Sequence, residues 1–266
     1  MGNSPVGVIG GSGLYELLED ASFVDVSTPY GEPSDSLVRG AVGGREVVFL
    51  PRHGRGHRHP AHVINYRANM WALRSLGVRQ VLGPCAVGSL RSSLGPGTFV
   101  VPDQVVDRTS GRVSTYFDTG AVHVGFADPY CPDGRAAVVK TAGELDQAVV
   151  DGGTMVVING PRFSTRAESV YYARQEWSLI NMTGLPEAAL ARELAMCYTS
   201  VALVTDLDAG LDEESAVEQE SVFRVFSENI SRLRELVLRT VASLGAQEDC
   251  RCAHAHDGLE IPIDLP

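Results

Sequence analysis

The chain has 266 residues, 44% hydrophobic and 21% charged, enough for one large α/β domain or two small ones with a substantial core, and a composition that argues against disorder. Its net charge of −11 argues against nucleic acid as the main partner, and no apolar stretch reaches the roughly 20 residues that span a bilayer. The segment before the first strand has no basic region or signal-peptide core. A cytoplasmic location is therefore expected, with Cys85, Cys131, Cys197, Cys250 and Cys252 reduced rather than bridged.

Residues 6–9 are a short apolar run that passes directly into Gly10, Gly11, Ser12 and Gly13, and Leu14, Tyr15, Leu17 and Leu18 continue as a turn of helix. Residues 47–50 form a second strand, ending in Pro51, Arg52, His53 and Gly54. Residues 65–76 have helical spacing, with Ala68, Trp71, Ala72 and Leu76 on the small or apolar positions, and Gly77 suits the C-cap. Strand 78–82 runs into Gly83, Pro84, Cys85 and Ala86, and 99–101 reads as another strand. Residues 107–135 are a turn-rich excursion.

Strand 154–158 exits into Asn159, Gly160, Pro161, Arg162 and Phe163, and helix 166–175 follows. Leu179 and Ile180 lead into Asn181, Met182 and Thr183, before a helix at 186–194 with Pro in its first turn. Ser200 to Val204 is the most apolar strand and ends in Thr205, Asp206, Leu207 and Asp208. Val222, Phe226, Ile230, Leu233, Val237 and Val241 mark a long amphipathic helix. This alternation gives an α/β fold, a mixed, mostly parallel central sheet flanked by helices. One domain is expected over 1–245, with 246–266 a tail packed on or near it.

The polar residues concentrate at strand exits, where α/β proteins bind ligands. Asp206 and Asp208 are two apart, so continued strand geometry would turn both carboxylates to one side. Metal ligation, paired-carboxylate catalysis and base recognition are all compatible with them. The glycine loop is either a tight turn or an anion cradle at a helix N-terminus. The stretch from Arg52 to His62 holds four of the seven histidines; it reads as a solvated basic loop, a metal site or a phosphate site. Cys85 reads as a nucleophile or a small buried side chain, Phe163 as a stacking or a packing residue, and Met182 as core. Cys250, Cys252, His254 and His256 in the tail leave a metal site open.

Joined in order, these segments resemble methylthioadenosine phosphorylases, in the trimeric purine nucleoside phosphorylase family, in their actinobacterial form. The matching stretches are Val8 to Leu14, Thr28-Pro29-Tyr30-Gly31, Arg52-His53-Gly54, Asn65 to Asn69, Gly88-Ser89-Leu90, Gly160 to Phe163, Arg166 to Ser169, Asn181-Met182-Thr183 and Thr205-Asp206. The resemblance implies a purine nucleoside phosphorylase-like single domain and phosphorolysis of an N-glycosidic bond. It implies inorganic phosphate as co-substrate, and no metal or organic cofactor.

By resemblance, Ser12, Arg52, His53, Cys85, Ala86 and Thr183 hold phosphate, and Met182 packs on the ribose. Phe163, Ser164, Asp206 and Asp208 surround the purine, with Asp206 the general acid at N7. His123, lent by a neighbouring subunit, Gln219 and Val222 line the pocket for the 5′ substituent. Cys85 and Gln219 depart from the family's usual Thr and apolar residue. Asp206, where 6-oxopurine enzymes tend to carry Asn, and Ser164, where they carry Glu, favour 5′-methylthioadenosine. A phosphorylase for 6-oxopurine nucleosides or 5′-methylthioinosine is the near alternative, and a non-catalytic nucleoside-binding protein the distant one. The implied partners are a nucleoside, phosphate, and copies of the chain in a homotrimer or a dimer of trimers, with no nucleic acid or membrane.

Overall fold

The computed structural model describes residues 4–11, 18–209, 217–247 and 250–266. Its frame is β1 (Val6–Gly10), β2 (Glu19–Val24), β3 (Leu37–Val42), β4 (Arg45–Pro51), α1 (Tyr66–Ser75), β5 (Gln80–Ser89), β6 (Phe99–Val101), β7 (Gln104–Arg108), α2 (Pro132–Glu144), β8 (Val149–Asp151), β9 (Thr154–Ile158), α3 (Arg166–Arg174), β10 (Leu179–Asn181), α4 (Gly184–Glu193), β11 (Cys197–Asp206) and α5 (Gln219–Ser243). Among the described residues all eleven strands join one sheet. Six of the ten strand pairings are parallel, so the sheet is mixed and mostly parallel.

β5 and β11 are the axis of the sheet. They run parallel from Gln80 opposite Cys197 to Gly88 opposite Asp206. The opposite edge of β5 takes β1 in parallel at its start and β10 antiparallel at its end. The residues of β11 are buried up to Thr205, which explains its unbroken apolar composition: both faces are covered. Ala202 and Val204 enter a core with α1 and α4 residues such as Met70, Leu73 and Leu190. Val201 and Leu203 enter a second core with Val138 of α2 and Leu233, Leu236 and Val237 of α5. The sheet is thus the middle layer of three.

Several elements match their sequence patterns closely. β9 spans the expected 154–158. The side chain of Asn65 caps α1 by accepting from the Ala68 amide at 3.2 Å, and Gly77 follows that helix with φ 86°. The turn-rich excursion is shorter than expected, because α2 begins at Pro132 with Cys131 at its N-cap. The pair β2–β3 was not anticipated: β2 is exposed nearly throughout and lacks a clean inside–outside alternation. The helix expected over Leu14–Leu17, with Ser12 and Gly13, lies outside the described residues. No helix among the described residues is long and apolar enough to cross a membrane.

Candidate active site

The exits of β4, β5, β9, β10 and β11 and the first turn of α5 enclose a cavity of about 410 Å³. That is within the size range of small-molecule sites. Arg52, His53, Cys85, Ala86, Phe163, Ser164, Met182, Thr183, Asp206, Asp208, Gln219 and Val222 all line it. Of the anticipated site residues, Ser12 falls outside the described residues. His123 is exposed and is not in this cavity of the single chain.

At one side stands Arg52, almost fully buried. Its Nε and Nη2 donate to the two carboxylate oxygens of Glu187 at 2.7 and 3.0 Å, and Nη1 donates to the Pro84 carbonyl at 2.9 Å. Burial alone would lower the guanidinium pKa, but Glu187 outweighs it and the net displacement is upward. Arg52 is therefore a fixed cation, aimed by its partner. Tyr198 Oη donates to Glu187 at 2.6 Å and completes that carboxylate's shell.

His53 Nδ1 lies 2.8 Å from the His59 carbonyl, which only an N–H can satisfy, so Nε2 carries the lone pair. Burial, assisted by Arg52, lowers the His53 pKa to about 4, and its ring stacks on His57 at 4.0 Å. A neutral imidazole with a free Nε2 accepts a hydrogen bond from a protonated oxyanion such as hydrogen phosphate.

Cys85 Sγ sits 3.5 Å from Ser200 Oγ, and burial raises its thiol pKa. This fits a neutral packing side chain and not a thiolate nucleophile. Asn181 Oδ1 accepts from the amides of Thr183 and Gly184 at 2.8 and 2.6 Å. That fixes the turn carrying Met182 and Thr183.

The opposite side is acidic. Asp206 ends β11 after a register shift between Val204 and Asp206. Its Oδ1 accepts from the Asp208 amide at 3.0 Å, and its Oδ2 lies 2.9 Å from Thr205 Oγ1. Asp208 has φ 42°, so it stands in a left-handed turn and not in a strand. Both acids do reach one cavity, but through a bulge and a turn instead of strand alternation. Ser169 Oγ donates to Asp208 Oδ2. Burial raises the pKa of both carboxyls.

Gly88 makes the acid side possible: a Cβ there would fall 2.9 Å from Asp206 Oδ1 and 2.8 Å from Ile180 Cγ2. Gly160, at φ 62°, leaves equivalent room for Met182, whose Sδ would lie 2.5 Å from a Cβ. Phe163, 37% exposed, and the buried Ser164 reach the cavity from the loop before α3. A fixed cation and a neutral imidazole thus face two carboxyls whose pKa values desolvation raises, with apolar and sulfur side chains between them. Such a site binds an anion and a hydrogen-bonding flat ring together.

A family model described as "Phosphorylase superfamily" matches residues 5–242. The chain belongs to the phosphorylase superfamily. Curated relatives include a purine nucleoside phosphorylase from Streptomyces coelicolor, 58% identical over 98% of this chain and 97% of its own length. Another is S-methyl-5′-thioadenosine phosphorylase from Mycolicibacterium smegmatis, 56% identical over 98% and 99%. Among solved structures, a methylthioadenosine phosphorylase from an Antarctic soil metagenomic library is 41% identical, with a TM-score of 0.91 over 97% of this chain and 93% of that one. The purine nucleoside phosphorylase-like fold and the class of enzyme, a pentosyltransferase-type nucleoside phosphorylase, follow from this membership.

Within this phosphorylase, Glu187, which holds Arg52 beside the cavity, is the residue that sequence reading missed. It sits inside α4, 135 residues from the Arg52 it holds. The one available signal was an acid in a helix whose neighbouring side chains are small and apolar.

Proposed function

We propose that the chain catalyses phosphorolysis of 5′-methylthioadenosine, releasing adenine and 5-methylthioribose 1-phosphate. The observation that carries this reading is that half-buried Asp206, its carboxyl pKa raised by desolvation, lines the same cavity as Arg52 and His53. A phosphate oxygen attacks C1′ while the C1′–N9 bond breaks, and the bonding pair leaves on the purine. The transition state resembles an oxocarbenium ion, so an anion beside C1′ and a proton for the departing base both lower the barrier. Arg52 supplies charge to the anion, and His53 accepts from its O–H. Cys85, Ala86 and Thr183 complete that side, as Ser12 would from the glycine loop. Asp206, whose protonated form desolvation favours, donates to N7. Met182 packs on the ribose, while Gln219 and Val222 face the 5′ substituent.

No metal or organic cofactor takes part in this chemistry; inorganic phosphate is the co-substrate. We further propose a cytoplasmic enzyme that works as a homotrimer, in which His123 of one subunit completes the 5′ pocket of the next.

The names of the relatives support two substrate classes, since the Streptomyces protein is a purine nucleoside phosphorylase. Asp206 and Asp208 favour the 6-aminopurine: a 6-amino group donates to carboxyl oxygens, whereas a 6-oxo group needs a donor there. Ultraviolet assays of methylthioadenosine, adenosine, inosine and methylthioinosine, each with and without phosphate, test the proposal. Phosphate-dependent turnover fastest with methylthioadenosine is expected. Preference for a 6-oxopurine would overturn the substrate, turnover without phosphate would make the enzyme a hydrolase, and binding without turnover would make it a non-catalytic binder.

A further inference from the structure

Away from the substrate cavity, four cysteines converge. Cys131 is the N-cap of α2, Cys197 is the first residue of β11, and Cys250 and Cys252 belong to the C-terminal tail. All four are buried together, and their Sγ atoms lie within 4.8 Å of one another. Cys250 Sγ is 3.5 Å from both Cys131 Sγ and Cys197 Sγ. The tail histidines do not join them: His254 Nδ1 faces Asp257 Oδ2 at 3.1 Å, and His256 Nε2 lies 2.9 Å from the Glu193 carbonyl.

The spacing is chemically selective. Four thiolates at about 2.3 Å from a zinc ion place their sulfurs roughly 3.8 Å apart on the edges of a tetrahedron. A disulfide needs about 2.05 Å between sulfurs, well below the separations here. We infer that Cys131, Cys197, Cys250 and Cys252 form a structural tetrathiolate site for one zinc ion.

The surroundings favour such a site. A zinc tetrathiolate carries two net negative charges and needs donors around it. The Gly134 amide at the start of α2 donates to Cys131 Sγ at 3.4 Å. Burial of all four sulfurs leaves no open coordination position, which distinguishes a structural from a catalytic zinc. Binding would displace the thiol protons to solvent, with no change of oxidation state. Its effect would be to fasten the tail to α2 and to the root of β11, the strand that carries Asp206.

The test uses the full-length protein, expressed with zinc in the medium and then desalted. Elemental analysis should give one zinc per chain, released by a mercurial thiol reagent. Reconstitution with Co²⁺ should give the visible absorption of tetrahedral tetrathiolate cobalt. Cys250→Ser combined with Cys252→Ser should lose the metal and melt at a lower temperature, whereas Cys85→Ser should keep it. If the double variant does not fold, Cys252→His should retain zinc and shift the cobalt spectrum. Three results would overturn the assignment: metal-free protein that takes up no zinc, a thiol count showing two disulfides, or iron in place of zinc.

Discussion

The role proposed for Asp206 comes at the expense of stability. Burial favours its protonated form, against the hydrogen bonds from Thr205 and the Asp208 amide. A carboxyl whose pKa the fold raises is best tolerated at low pH, and its ionisation weakens the folded state as pH rises through the folded value. Turnover that needs the same proton declines over the same rise. Asp206→Asn can keep the contacts, its oxygen accepting from the Asp208 amide and its NH₂ donating to Thr205 Oγ1. We expect methylthioadenosine turnover to fall by about 10²-fold or more, measured by steady-state kinetics, with a melting temperature equal to or above that of the parent. Glu187 has the opposite character. Removing it in Glu187→Ala strands Arg52 as a buried cation, and urea unfolding should show a loss of about 3–5 kcal/mol. Arg52, His53 and Asp206 were legible because each follows an apolar strand directly. Glu187 was not, because its meaning depends on a partner supplied by another strand exit. The same holds for the tail cysteines, which sequence reading grouped with His254 and His256 because Cys131 and Cys197 lie 119 and 53 residues from Cys250.

At the scale of elements, α3 anchors the loop proposed to face the purine. Thr165 Oγ1 accepts from the Glu168 amide at 3.2 Å, and the Glu168 carboxylate accepts from the Thr165 amide at 2.7 Å, a reciprocal cap. Arg162 grips Glu168 with two hydrogen bonds of 2.7 Å, so loop and helix are tied across Phe163 and Ser164. Thr165→Ala should cost about 1 kcal/mol. It should raise KM for the nucleoside several-fold, with kcat and the KM for phosphate near parental values; equal losses on both substrates would contradict this role. Elements with strong periodicity or continuous apolar runs were readable, as α5 and β11 demonstrate. β2 was not, because an exposed strand bonded, among the described residues, only to β3 owes its form to its neighbour's backbone. Gly40 of β3 records that closeness: a Cβ there would stand 2.7 Å from the Glu19 carbonyl oxygen.

At the scale of the molecule, one sheet between two cores brings segments from Arg52 to Phe223 to a single cavity. His123 stands outside it, exposed in the loop before α2. If a neighbour's His123 completes the site, light scattering should return three times the mass of one chain. His123→Ala should then raise KM for methylthioadenosine without dissociating the assembly; an active monomer would contradict both. Sequence reading reached the layer order because strand and helix patterns alternate, but subunit contacts leave no comparable periodicity. The late position of β11 has a consequence for synthesis. Until residue 206 has left the ribosome, β5 lacks the partner that pairs with it from Gln80 to Gly88. A nascent chain of that length carries an open apolar edge, the kind that recruits foreign strands. Translation speed and chaperone supply, more than the stability of the finished enzyme, should therefore limit its yield in a foreign host.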